Sequence, residues 1–138
     1  MSDDLAKMFA AFEATDFIVH ATGRDIVLRH GHTSRELDAL LEAREPWAFV
    51  TAWNPEGQQA PTSENERAQQ QLRERLKSKR ILEGLGRAPD RSWEEPSLFV
   101  FNCARDEALG LGREFRQVAV LIGTHGERAR VTRCSDLT

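Results

Sequence analysis

Apolar positions recur along this chain at two spacings, and the spacing changes from one segment to the next. Near the N-terminus the apolar residues have the spacing of one helical face, at Leu5, Met8, Phe9 and Phe12. This spacing predicts an amphipathic helix over residues 3–14. In other segments the apolar residues alternate with polar ones or run together, a pattern typical of strands. The chain therefore combines helices and strands along its length.

Both ends of the chain carry the pattern of a β-hairpin. Residues 16–21 (DFIVHA) and 25–30 (DIVLRH) flank one short turn that contains a glycine, and residues 117–123 (QVAVLIG) and 128–134 (RARVTRC) flank another. Because a hairpin joins antiparallel neighbours, we expect antiparallel pairing at both ends.

Three more strands are predicted in the middle of the chain. Residues 47–53 (WAFVTAW) are almost all apolar, as expected of a central strand buried on both faces, and Asn54 begins the turn that follows. Residues 81–85 and 96–102 also have the composition of strands.

Two of the remaining helices are predicted from capping boxes. Thr33 with Glu36, and Ser63 with Glu66, have the spacing at which a side chain caps a helix N-terminus. We expect the first helix to end before Pro46 and the second to continue to residue 79.

A last helix is expected after Asn102, which would cap it, and Gly110 and Gly112 within it indicate close packing. These elements together predict one α+β domain over residues 1–138. It would contain a single mixed or mostly antiparallel sheet, with terminal hairpins and about four helices packed on it.

Composition narrows the class of protein. The 138 residues are 40% hydrophobic and 30% charged with a net charge of -3, which indicates a folded domain and argues against a uniformly basic nucleic-acid-binding surface. No segment approaches about 18 consecutive apolar residues, and the N-terminal residues lack the basic and apolar regions of a signal peptide. We therefore expect a cytoplasmic protein without membrane contact.

Metal, redox and nucleic-acid chemistry receive little support from the sequence. Cys103 and Cys134 lack the spacing of a zinc or redox site, and His30 and His32 have no neighbouring ligand, so no metal and no cofactor is predicted. The basic run at residues 73–80 could contact phosphates. It also suits a helix C-terminus and has no interleaved aromatic residue, which favours the helix-end role over nucleic-acid binding.

Polar residues collect where the predicted central strand ends. Trp53 and Asn54 follow that strand, Glu64 and Asn65 begin the next helix, and Glu95 precedes another strand. If the middle strands are adjacent, these groups meet at one edge of the sheet. Paired carboxylates there could act as general acid and base or hold a divalent cation, although acidic residues are also simply favoured at helix N-termini.

Residues farther along the chain extend this set, and each also has a structural interpretation. Ser97 opens the strand after Glu95. The amide of Gln117 could bind a ligand or tie down a loop carbonyl, and Arg113 could hold an anion or complement a helix dipole.

Four segments together resemble an uncharacterised bacterial family, domain of unknown function 3293. They are TAWNPEG, SENERAQQQL, EEPSLFVFN and ALGLGREFRQVAVLIG, in this order within about residues 46–123. The resemblance implies no particular reaction. It points to a site that contains Trp53, Asn54, Glu64, Asn65, Glu95, Ser97 and Gln117.

We predict a small-molecule pocket at the ends of the central strands, in either a binding domain or a small enzyme. Glu64 and Glu95 are the catalytic candidates. The ligand-binding candidates are Trp53, Asn54, Asn65, Ser97, Arg113 and Gln117. The alternative is an interaction or regulatory module that forms a homodimer through the N-terminal helix, with Phe9 and Phe12 at the interface.

Overall fold

A computed structural model describes residues 3–134, within which the chain forms four α-helices, one 3-10 turn and seven strands. The helices are α1 (Asp3–Glu13), α2 (Arg35–Asp38), α3 (Thr62–Arg75) and α4 (Arg105–Glu114), and the 3-10 turn is Pro55–Gly57. The strands are β1 (Asp16–Ala21), β2 (Arg24–Leu28), β3 (Pro46–Val50), β4 (Ile81–Arg87), β5 (Glu94–Phe101), β6 (Ala119–Thr124) and β7 (Arg130–Arg133).

The seven strands form one curled sheet in the order β2-β1-β4-β5-β3-β6-β7, and every described pair is antiparallel. This confirms the predicted α+β fold with a hairpin at each end. Strand β3 lies between β5 and β6, so that Phe49 pairs with Phe99 on one side and with Leu121 on the other. The end of the central strand therefore comes next to the start of β5.

Successive side chains of a strand point to opposite sides of the sheet, and helices cover both sides. Both faces of the sheet are therefore buried. On one face Trp47 stacks on Phe99 with ring centroids 5.4 Å apart, and helices α1 and α2 cover this cluster. On the other face Ala48 and Val100 pack against α3 and α4. The central strands are thus enclosed between two layers of helix.

The three predicted helix caps were wrong, and in each case the backbone starts the helix at a different residue. Helix α2 is capped by Ser34, whose hydroxyl accepts a hydrogen bond from the Leu37 N–H at 3.1 Å, and not by Thr33. It ends at Asp38, well before Pro46, and the chain continues as turns in which the Leu40 N–H donates to the Leu37 carbonyl at 2.8 Å and the Leu41 N–H to the Asp38 carbonyl at 3.1 Å.

The other two caps carry no side-chain hydrogen bond. Helix α3 has Pro61 at its N-cap, so that Ser63 lies inside the first turn. Asn102 takes a left-handed conformation with φ 50° at the end of β5, which leaves Ala104 as the N-cap of α4. Asn readily adopts this conformation, and here it turns the chain out of the sheet instead of capping the helix.

Close packing at Gly112 confirms one of the two glycine predictions. A Cβ atom there would lie 2.2 Å from the Cys134 sulfur, whereas a Cβ at Gly110 would meet no atom within 4 Å. Burial raises the pKa of the Cys103 thiol to about 12 and that of Cys134 to about 11. Both thiols therefore stay protonated and act as small apolar side chains.

Helix α1 packs on one face of the sheet. Phe9 and Phe12 pack against the cluster around Phe49, but no residue of the helix is fully buried. The carboxylate of Glu13 lies 3.3 Å from the imidazole of His30, beyond the end of β2. The helix thus packs on its own sheet through half-buried contacts.

Candidate functional site

Asn54 and Asn65 form a reciprocal pair that closes the loop between β3 and α3. The Asn54 N–H donates to Asn65 Oδ1, and Asn65 Nδ2 donates to Asn54 Oδ1, each at 2.8 Å. The same Asn54 oxygen accepts from the Ala60 N–H at 3.0 Å. Asn65 is 2% exposed, so these bonds are shielded from water and fix the loop onto the helix.

Gln69 continues this network one helical turn later. Its Oε1 accepts from the Ala52 N–H at 2.9 Å, and its Nε2 donates to the Pro96 carbonyl at 3.3 Å. Gln69 was not predicted, because only the apolar residues of α3 follow a pattern that stands out in the sequence. The spacing of Asn65 and Gln69 from the buried Leu72 places all three on one face of α3, a signal that could have revealed it.

Thr51 joins the end of β3 to the start of β5. Its hydroxyl donates to the Pro96 carbonyl at 2.7 Å and accepts from the Trp53 N–H at 3.0 Å. Thr51 was also missed, because a threonine in an apolar run gives no separate signal. The bonds from Thr51 and Gln69 hold Pro96 and its neighbour Glu95 beside Asn54.

The fold strongly alters the acidity of Glu95. It lies opposite Gly86 in the pairing of β4 with β5, and Asn54 Nδ2 donates to Glu95 Oε1 at 3.4 Å. Burial raises the pKa of the carboxyl from 4.5 to about 7, while the bond from Asn54 opposes that rise. Near neutral pH this group is therefore present both as acid and as carboxylate.

The Glu95 side chain borders a cavity on the face of the sheet that α1 covers. Alternation along β5 places Glu95 and Ser97 on the same face as Phe99. The cavity measures about 40 Å³ as the space open to the centre of a water-sized sphere. That is room for a small chemical group or a few water molecules. Its lining includes Phe12, Phe17, Phe49, Trp93 and Leu121 as apolar walls and Thr15, Thr51, Glu95, Ser97 and Gln117 as polar contributors.

Ser97 and Gln117 line this cavity while bonding to backbone carbonyls. The Ser97 hydroxyl, on a residue that is 3% exposed, donates to the Glu95 carbonyl at 3.1 Å. Gln117 Nε2 donates to the carbonyls of Trp53 at 3.3 Å and Phe115 at 3.2 Å. Gln117 thus ties down two loops, and its role toward a ligand stays a prediction.

The remaining candidates lie away from the cavity wall. Trp53 takes part in the network through its backbone, and the tryptophan that lines the cavity is Trp93, which the sequence analysis did not single out. Glu64 and Arg113 are exposed on α3 and α4. Their roles toward a ligand stay predictions.

Left-handed residues cluster in the two loops beside the site. Asn54, Glu56 and Arg116 have φ values of 48°, 59° and 56°. The Glu56 N–H donates to the Arg116 carbonyl at 2.7 Å, and the two side chains form an exposed ion pair at 2.6 Å. Such strained positions concentrate at functional sites, where surrounding bonds hold them.

We expect Glu56→Gly to be more stable to urea than Glu56→Gln by about 1 kcal/mol, because glycine removes the left-handed strain. Both variants lose the exposed ion pair with Arg116, so the comparison isolates the backbone. Equal unfolding midpoints with equal denaturant slopes would show that Glu56 is not strained.

The basic run at the end of α3 pairs with carboxylates of the same chain. Arg73 pairs with Glu83, Arg75 with Glu114 at 2.8 Å, and Lys79 with Glu107 at 2.9 Å. Lys79 also donates to the Asn102 carbonyl at 2.6 Å. These contacts give the basic residues a role within the fold.

Within the part of the chain that the structure describes, no residues are arranged to hold a metal ion and no helix is built to cross a membrane. Residues 3–134 contain no group of three His, Cys, Asp or Glu side chains placed to hold a metal ion. No helix in this range combines the length and apolar character needed to cross a bilayer. The imidazole of His20 instead contacts the Asp25 carboxylate at 2.7 Å.

Comparison with known proteins identifies one family. The model of the family described as "Protein of unknown function (DUF3293)" matches residues 50–120, just over half of the chain. The matched segment contains Thr51, Asn54, Asn65, Glu95 and Gln117, and so includes most of the network. Neither the curated proteins nor the solved structures include a significant match.

Proposed function

This chain belongs to the DUF3293 family, and we propose that it binds a small molecule whose polar group enters the cavity beside Glu95. The cavity admits only a small group such as a hydroxyl, amide or amine, so the rest of the ligand lies at its mouth. Apolar walls surround the polar end of the cavity, which is a common composition of ligand sites.

The state of Glu95 carries this proposal. Among the described residues its only hydrogen-bond partner is Asn54, at the long distance of 3.4 Å, which leaves most of its bonding capacity open. A buried carboxyl with a pKa of about 7 destabilises a fold at neutral pH unless something binds it. A ligand donor would supply the missing partner.

The same geometry supports acid–base chemistry in a small enzyme. A carboxyl with a pKa near the working pH can accept a proton in one step and return it in another. We assign that role to Glu95, with Asn54 and Gln117 orienting the ligand. Glu64 and Arg113, which are exposed, would contact only a ligand that extends beyond the cavity.

The alternative function is self-association through α1. Its Phe9 and Phe12 already pack against the sheet of their own chain, which favours the pocket over a dimer formed by this face. We also propose a cytoplasmic location, since two buried free thiols, Cys103 and Cys134, suit a reducing compartment.

A thermal-shift screen against nucleotides, amino acids, sugars and metal ions tests the pocket. A ligand at ten times its Kd is expected to stabilise the protein by about 1.4 kcal/mol. Glu95→Gln should reduce the response, each protein being compared with its own unliganded melting temperature.

Glu94→Gln is the matched control, because Glu94 is the exposed neighbour on the other face of the strand. A ligand whose shift is equal in wild type, Glu95→Gln and Glu94→Gln binds elsewhere. That result would overturn the assignment of the cavity.

A further inference from the structure

A second cleft lies at the opposite end of β3 from Glu95. It occupies about 200 Å³ between the start of β3, the β6–β7 hairpin and the start of α4. Its lining includes Pro46, Ile122, Arg105, Arg128 and Arg130. The last three residues define what we call the arginine cleft.

The fold brings Arg105 of α4 next to Arg128 and Arg130, which lie on one segment at the start of β7. Arg130 pairs with Ile122 across the hairpin, and Ile122 packs in the core on the side of the sheet that α4 covers. Arg128 is two residues before Arg130, and alternate residues of an extended chain point to the same side. Arg105 is the first residue of α4 on that side.

No carboxylate within residues 3–134 forms an ion pair with any of the three. In contrast, Arg73, Arg75 and Arg116 are each bridged to a glutamate. One carboxylate, Glu127, is among the residues that line the cleft, so three positive charges face one negative charge there. In a chain with a net charge of -3, this is a local reversal of sign.

We propose that the arginine cleft binds the phosphate group of a small phosphorylated molecule, independently of the cavity beside Glu95. Guanidinium groups donate paired hydrogen bonds to oxyanions and keep their charge at every physiological pH. Three donor groups, two from the segment that leads into β7 and one from α4, suit a tetrahedral phosphate. A planar carboxylate has only two oxygens to share among them. The hydroxyl of Thr124, also in the lining, adds a fourth donor.

Titration of the full chain with inorganic phosphate and with pyrophosphate at constant ionic strength tests this site. We expect saturable shifts of the backbone amide NMR signals of Gly123, Thr124 and Arg130. The triple variant Arg105→Gln/Arg128→Gln/Arg130→Gln should weaken binding at least about tenfold, since each arginine supplies charge-assisted bonds.

The control for net charge is the triple variant Lys7→Gln/Arg67→Gln/Arg91→Gln, which removes three exposed cationic side chains outside the cleft. It should bind phosphate within about twofold of wild type, because distant exposed charges are screened by salt. Glu127→Gln should tighten binding several-fold by removing the one carboxylate of the cleft. If the triple variant of the cleft arginines fails to fold, Glu127→Gln and the single variant Arg128→Gln test the proposal in its place.

Three results would overturn the proposal. Equal loss of affinity in the two triple variants would mean that phosphate responds only to net charge. Shifts that never saturate would mean that no site exists. Acetate competing as well as phosphate at equal ionic strength would reassign the cleft to carboxylates. Glu95→Gln should leave phosphate binding unchanged. A failure of the phosphate site can therefore be told apart from a failure of the ligand site beside Glu95.

Discussion

Glu95→Gln is expected to stabilise the protein at pH 8 by about 2–3 kcal/mol and to leave its stability at pH 4 nearly unchanged. The pKa of Glu95 rises from 4.5 to about 7 because the folded chain buries the carboxyl. Below pH 4.5 the group is protonated in both the folded and the unfolded chain, so it imposes no penalty. Between pH 4.5 and 7 the unfolded chain releases the proton first, and stability falls as the pH rises.

The neutral amide of the glutamine has nearly the shape of the protonated acid and does not ionise. Its contribution to stability therefore does not change over this range. Urea unfolding of wild type, Glu95→Gln and Glu94→Gln at several pH values between 4 and 8 measures the difference. If the stability of wild type and of Glu95→Gln changed in parallel with pH, Glu95 would have an ordinary pKa and would not need a ligand as a partner.

Asn65→Ala is expected to lower the free energy of unfolding by about 2–4 kcal/mol, because it leaves the Asn54 N–H without a partner in a shielded place and removes one of the two donors to the Asn54 side-chain oxygen. Glu64→Ala, one residue earlier and exposed, should cost less than about 0.5 kcal/mol, as expected of a surface substitution. Chemical denaturation of both variants at pH 7 provides the comparison.

A small effect of Asn65→Ala, within about 0.5 kcal/mol of Glu64→Ala, would mean that water replaces the asparagine pair. The expected large effect has a consequence for function. Loss of ligand binding in Asn65→Ala would report collapse of the loop at residues 54–62, not a lost ligand contact. Glu95→Gln is the better probe because the fold does not depend on its charge.

A residue that weakens the fold at neutral pH and stands beside a cavity is typical of a functional position. The left-handed Glu56 and Arg116 nearby add to this, since both lie in loops that adjoin the asparagine pair. The network of Thr51, Asn65 and Gln69 has a structural role beside this position. It holds the end of β3 and the start of β5 in fixed positions, so that Glu95 stays at the cavity despite its cost.

The local pattern of the sequence determined the elements of the sheet. Alternating or continuous apolar runs with glycine turns identified both hairpins and the central strand, because strand periodicity and turn conformation depend on neighbouring residues. The residues that cap the helices could not be predicted in the same way. The start of α4 depended on whether Asn102 capped the helix or turned the chain, and both are ordinary uses of asparagine.

The sequence also indicated that Asn54, Asn65 and Glu95 could meet, but only the tertiary structure made β3 and β5 neighbours. It also separated Glu64 from Asn65, because adjacent helical residues point about 100° apart and only one of them can face the sheet. The tertiary structure also places Phe12 against the cavity beside Glu95 and brings Arg105 next to Arg128 and Arg130, and in both cases it joins residues that are distant in sequence. Hydrophobic pattern determines which residues must be buried, whereas the identity of their neighbours depends on how the sheet closes.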